Sequence, residues 1–70
     1  MKQITYSKHA EKRRKQRGYK PEEIEYVIMS PEKRYKRSDN NIEVSRILKN
    51  REIIVVYEEK ANYINVVTII

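Results

Sequence analysis

Cysteine is absent from these 70 residues, while glycine and histidine occur once each and proline twice. Without cysteine, neither a disulfide nor a thiolate-bound metal can brace the fold. One histidine and no compact set of acids argue against a zinc centre, so no metal and no cofactor is expected. A single glycine leaves no room for a phosphate-cradling glycine loop, and no motif supports a Ser-His-Asp triad. No apolar run is long enough for a membrane span or a signal peptide, so the expectation is a soluble, cytoplasmic protein with no membrane partner. Repeats, linkers and low-complexity stretches are also missing, which leaves one domain over residues 1–70. A chain this short buries only about 60% of its unfolded surface. Tight packing or a partner chain, a second copy included, must make up for the small core.

Basic charge is plentiful and uneven. The formal net charge is +6. Seven of the residues from Lys8 to Lys20 are basic and one, Glu11, is acidic. Lys33, Arg34, Lys36 and Arg37 form a second basic run around Tyr35. The acids gather elsewhere, at Glu22, Glu23 and Glu25 and at Glu58 and Glu59. Clustered basic charge points to a polyanionic partner, RNA or DNA before others. The plainer alternative is a solvated surface, with the Lys33–Arg37 run blunting an edge strand.

Punctuation along the chain predicts its elements. Met1 to Tyr6 is a brief strand or a lead-in. Ser7 suits an N-cap and Gly18 a left-handed C-cap, which bounds a first helix at Lys8 to Arg17. Pro21 suits the first turn of a second helix, Glu22 and Glu23 complement its dipole, and Ser30-Pro31 ends it. Ile24, Val27 and Ile28 form that helix's apolar stripe. Strands follow at Lys33 to Arg37, Ile42 to Leu48, Ile53 to Tyr57 and Tyr63 to Ile70, separated by turn-forming clusters. The order predicts an α+β domain, two N-terminal helices packed on one face of a three- to four-stranded antiparallel sheet.

Register decides which side chains share a face. A two-residue Asn50-Arg51 turn would pair Leu48 with Ile53, Arg46 with Val55 and Val44 with Tyr57. A four-residue second turn would set Tyr57 opposite Ile64, Val55 opposite Val66 and Ile53 opposite Thr68. The helix-facing side of the sheet then holds Arg46, Tyr57 and Thr68 among aliphatic residues.

The first helix is the anomaly. HAEKRRKQRG offers Ala10 as its only apolar residue. His9, Arg13 and Arg17, spaced i, i+4, i+8, share a face beside it. If Ala10 marks the inward side, a histidine and two arginines go in with it, a costly arrangement unless they are paired or bind a ligand. With Arg46 and Tyr57 on the sheet, the set suffices for metal-independent RNA cleavage. Histidine moves the 2′-hydroxyl proton, arginines grip phosphate in a bidentate way, and tyrosine donates a proton or stacks on a base. Each residue also has a plain reading. His9 is an exposed or hydrogen-bonded histidine, Arg13 and Arg17 pair with acids such as Glu22 or Glu52, and Tyr57 belongs to the core.

His9-Ala10, Arg13 and Arg17-Gly18 read as H-A-x-x-R-x-x-x-R-G. An Ile24-centred helix ending in Ser30-Pro31 follows, and Val55-Val56-Tyr57 and Val66-Val67-Thr68 close the domain. This pattern resembles a family of small bacterial and archaeal domains of unknown function. That family is similar in layout to the RelE-like and BrnT-like toxins of toxin–antitoxin pairs, endoribonucleases held inactive by a co-encoded antitoxin. The resemblance implies a RelE-like domain, RNA cleavage without metal and an antitoxin partner. It implies His9 and Tyr57 as catalytic residues, with Arg13, Arg17 and Arg46 as RNA phosphate ligands. A first-helix histidine departs from those toxins, which carry their catalytic groups mainly on the sheet and tail. The alternatives are a non-catalytic module that binds nucleic acid through the same basic surface and a protein-interaction domain.

Overall fold

The computed structural model describes residues 2–70, in the order β1 (Gln3–Tyr6), α1 (Lys8–Arg17), α2 (Pro21–Met29), β2 (Lys33–Lys36), β3 (Ile42–Leu48), β4 (Arg51–Glu59) and β5 (Tyr63–Ile69). The α+β class and both helices match the sequence expectation. The sheet differs: it has five strands, in the order β1-β5-β4-β3-β2, and it is mixed. β1 is a full strand that runs parallel to β5, with Tyr6 opposite Val66, while the other pairings are antiparallel. A lead-in of four residues carries no local signal for a pairing made across nearly the whole chain.

Caps fix the helix ends. The Ser7 side chain accepts the Ala10 N–H at 3.0 Å and donates to the Val67 carbonyl at 2.8 Å, so one hydroxyl both starts α1 and ties it to β5. Gly18 closes α1 at φ 74°, a conformation that suits glycine, and its N–H and that of Tyr19 bond to carbonyls of the last turn. At α2 the Glu23 carboxylate accepts the Lys20 N–H at 2.8 Å.

The first hairpin keeps a two-residue turn but places it one residue earlier than expected, and the second is tighter than expected. Lys49 and Asn50 both take positive φ, 52° and 65°, so they form the two-residue turn and Leu48 faces Arg51. Arg46 therefore faces Ile53 rather than Val55, and Ile42 rather than Val44 faces Tyr57. The shift is two residues, an even number, so every β3 side chain keeps its expected face. In the second hairpin Tyr57 faces Val66 and Val55 faces Ile69, with an irregularity between Val56 and Tyr57. That bulge reverses the phase of the last residues. Ile69 enters the core, and Thr68, expected beside Arg46 and Tyr57, lies on the opposite face across from Val56.

One core joins the helices to the sheet. Ile24, Val27 and Ile28 of α2 and Ala10 of α1 meet Ile42, Val44, Ile53, Val55, Tyr57, Ile64, Val66 and Ile69. α1 lies over β5 and β1, and α2 over β4 and β3. Among the described residues, no helix is long and apolar enough to cross a membrane.

Candidate nucleic-acid interface on the first helix

Ala10 is fully buried and marks the inward side of α1. His9 is exposed, which corrects the expectation that it turns inward with Ala10. One helical residue is a rotation of about 100°, so the histidine immediately before a fully inward alanine points sideways into solvent. Arg13 is half-buried and Arg17 exposed. The three still share a flank, with His9 one turn from Arg13 and about 12 Å of helix rise from Arg17.

Backbone carbonyls hold the arginines at this end of the molecule. Arg13 Nε donates to the Ile69 carbonyl at 3.2 Å. Arg51, the first residue of β4, donates from Nη2 to the Arg17 carbonyl at 3.0 Å, and its guanidinium stands 4.6 Å from the centre of the buried Tyr19 ring. Arg46 donates to the Ser30 carbonyl at the end of α2 at 2.8 Å and stacks on Tyr26 at 4.9 Å, while its buried Nε finds no partner. Because Arg46 faces Ile53, it sits diagonally from Arg51 on the helix-facing side. Among the described residues, no carboxylate lies within ion-pair distance of Arg13, Arg17, Arg46 or Arg51, so neither Glu22 nor Glu52 serves as their partner. A carbonyl neutralises no charge. The Arg13, Arg46 and Arg51 guanidiniums are therefore positioned, and all four arginines keep their full attraction for a polyanion.

Tyr57 does not join them. It is 4% exposed within the core. It lies four residues along β4 from the row of Arg46 and Ile53, a separation of roughly 13 Å. The expected Arg46–Tyr57 neighbourhood depended on the register that the Lys49-Asn50 turn shifts.

Two residues that sequence reasoning passed over do structural or electrostatic work here. Arg51 joins the arginine group, and its position two residues before the inward-facing Ile53 was the available signal. Arg14 follows Ala10 by four residues and so lies on its inward flank. It binds Glu11 through both Nε and Nη2 and donates to the Tyr19 carbonyl at 2.8 Å. Its hydrogen bond holds the Glu11 carboxyl below the usual carboxylate range, and Glu11 in turn raises the Arg14 guanidinium. Arg14 is thus the paired arginine of α1, in contrast to Arg13 and Arg17.

An open groove of about 510 Å³ runs along another flank of α1, lined by Tyr6, Ser7, Lys8, Glu11, Lys12 and Lys15. None of the expected site residues lines it. Among the described residues, no three His, Asp or Glu side chains converge as metal ligands do.

No curated protein and no solved structure matches this chain. A family model does, over residues 6–70, from the end of β1 through α1 and all that follows. The chain belongs to that family, described as the domain of unknown function DUF4258.

Proposed function

We propose that this domain is a metal-independent endoribonuclease of RelE-like layout, the toxin of a toxin–antitoxin pair. RNA lies across the end of the molecule where α1 meets the start of β4. Arg13, Arg17 and Arg51 grip consecutive phosphates, and Arg46 extends the row across β3. His9 is the proton carrier. It takes the proton of a 2′-hydroxyl as that oxygen bonds to phosphorus. The bond from phosphorus to the 5′-oxygen breaks, water protonates the leaving oxygen, and a 2′,3′-cyclic phosphate remains. Tyr57 has no part in this scheme, because it is buried in the core. The observation that carries the reading is the set of carbonyl-held arginines without carboxylate partners beside an exposed histidine.

The test is cleavage and binding of labelled RNA by purified protein in the presence of a chelator. Wild type is expected to release cyclic-phosphate ends. His9→Ala is expected to bind with unchanged affinity and cut nothing. Replacing Arg13 and Arg17 together is expected to weaken binding and flatten its salt dependence by about 1.4 logarithmic units per unit, at roughly 0.7 per single-strand phosphate contact. Salt-steep binding with no product from wild type selects the non-catalytic RNA-binding reading. One observation favours that second reading: the tyrosine expected to assist His9 lies in the core. Product from His9→Ala at the wild-type rate removes His9 from the chemistry.

A further inference from the structure

The sheet's two edges differ in kind. β1 carries no charged residue, and three of its four side chains are partly buried. β2, of sequence KRYK, is exposed at every position, and Arg37 continues its charge. β2 pairs with β3 on one side only. The bond from Arg37 N–H to the Asn41 carbonyl, 2.8 Å, sets the alternation of that ladder. Lys33 and Tyr35 direct their amides to β3, and Arg34 and Lys36 direct theirs outward.

We propose that the free edge of β2 binds an extended acidic segment of a partner protein by strand addition. The segment's backbone pairs with the outward amides and carbonyls at Arg34 and Lys36, and its carboxylates meet the basic side chains. Charge selects this occupant. A second copy would set Lys and Arg opposite Lys and Arg, the arrangement by which charged edges prevent self-pairing. An acidic strand reverses that sign. An RNA strand offers acceptors to the side chains but no regular series of donors for the outward carbonyls, whereas a peptide supplies both. The edge already holds carboxylates of its own chain: Arg37 Nη1 lies 3.2 Å from Glu43, and Arg34 lies 3.9 Å from Glu59. Among the described residues, Lys33 and Lys36 have none within ion-pair distance. The proposal is independent of the RNA-cleavage reading, since it uses none of His9, Arg13, Arg17, Arg46 or Arg51.

The test follows amide exchange by NMR on the full chain with four probes. These are a short synthetic peptide alternating glutamate and valine, the same peptide N-methylated at alternate backbone positions, its lysine-for-glutamate counterpart, and a short single-stranded RNA. The first peptide is expected to slow exchange at Arg34 and Lys36 and leave the α1 amides unchanged. The N-methylated and lysine peptides are expected to leave exchange at Arg34 and Lys36 unchanged. The double change Arg34→Glu with Lys36→Glu, at two positions on one face of β2, is expected to weaken binding by about tenfold, as two lost cross-strand charge pairs would. Its spectrum elsewhere reports that the fold is kept. Equal binding of the N-methylated peptide would reduce the effect to charge attraction and overturn strand addition. Protection by RNA and not by the acidic peptide would overturn it in favour of a nucleic-acid edge, and no protection by any probe would overturn it outright.

Discussion

α2 turns Ile24, Val27 and Ile28 into the core, whereas α1 buries Ala10 alone. Both lie on the same sheet. α2 is held by the removal of apolar surface from water, at roughly 1.5–3 kcal/mol per fully buried aliphatic side chain. α1 is held by polar ties: the Ser7 hydroxyl at its start, Gly18 at its end, and guanidinium-to-carbonyl bonds from Arg13, Arg14 and Arg51. A helix fastened at its ends and flanks can spend the remainder of its surface on charge. That is why seven basic residues fit between Lys8 and Lys20 without an apolar stripe, and why the candidate site belongs to α1 while α2 serves the core.

The largest test of this contrast is Ile24→Ala. Ile24 is fully buried, and its truncation should cost about 2–5 kcal/mol, most of the stability of so small a domain. Urea unfolding should show the midpoint collapse. A loss under about 1 kcal/mol would mean that α2 is not the core helix described here. Next is Ala10→Leu. Ala10 has no free surface, so the larger side chain must lift α1 from β5, at about 1–3 kcal/mol. Stability equal to wild type would reveal unfilled space beneath α1.

Ser7→Ala should act more locally. It deletes the N-cap and the tie to Val67 at an expected cost of about 1–2 kcal/mol. Hydrogen exchange should rise along α1 and stay unchanged in α2 and β4, because the helix can open without the core. Uniform acceleration throughout the chain would show instead that both helices open only with the whole domain.

The same contrast explains what the sequence made legible. Ser7, Gly18, Pro21 and Ser30-Pro31 are local signals, and they bounded both helices as observed. β3 was legible from its alternation. Register was not, because it depended on a lysine, Lys49, taking positive φ and on a bulge between Val56 and Tyr57, neither of which has a residue-level marker here. The parallel pairing of β1 with β5 is set by contacts about sixty residues apart. Within the candidate site, spacing along one helix placed His9, Arg13 and Arg17 on a common flank. The link to Tyr57 required an exact register and failed with it, and Arg51 lay hidden in what read as a turn.

The smallest expected effect concerns the seam between the helices and β1. The Tyr6 hydroxyl is buried without a partner among the described residues. Burial, reinforced by the nearby Glu25 charge, pushes it up from 10.0 to about 12. Between those pH values the folded chain keeps a proton that the unfolded chain has released. Stability is therefore level below pH 10 as far as this group is concerned, and falls as pH rises toward 12. Screening at a half-buried site limits the loss to on the order of 1 kcal/mol. Tyr6→Phe removes both the ionisation and the orphaned hydroxyl. Near neutral pH the variant should match or slightly exceed wild type, because no hydrogen bond is given up. Its advantage should grow through the alkaline window. Parallel alkaline limbs for the two proteins would mean that Tyr6 ionises as freely in the fold as in the open chain, and that the seam beside α1 is wetter than its geometry indicates.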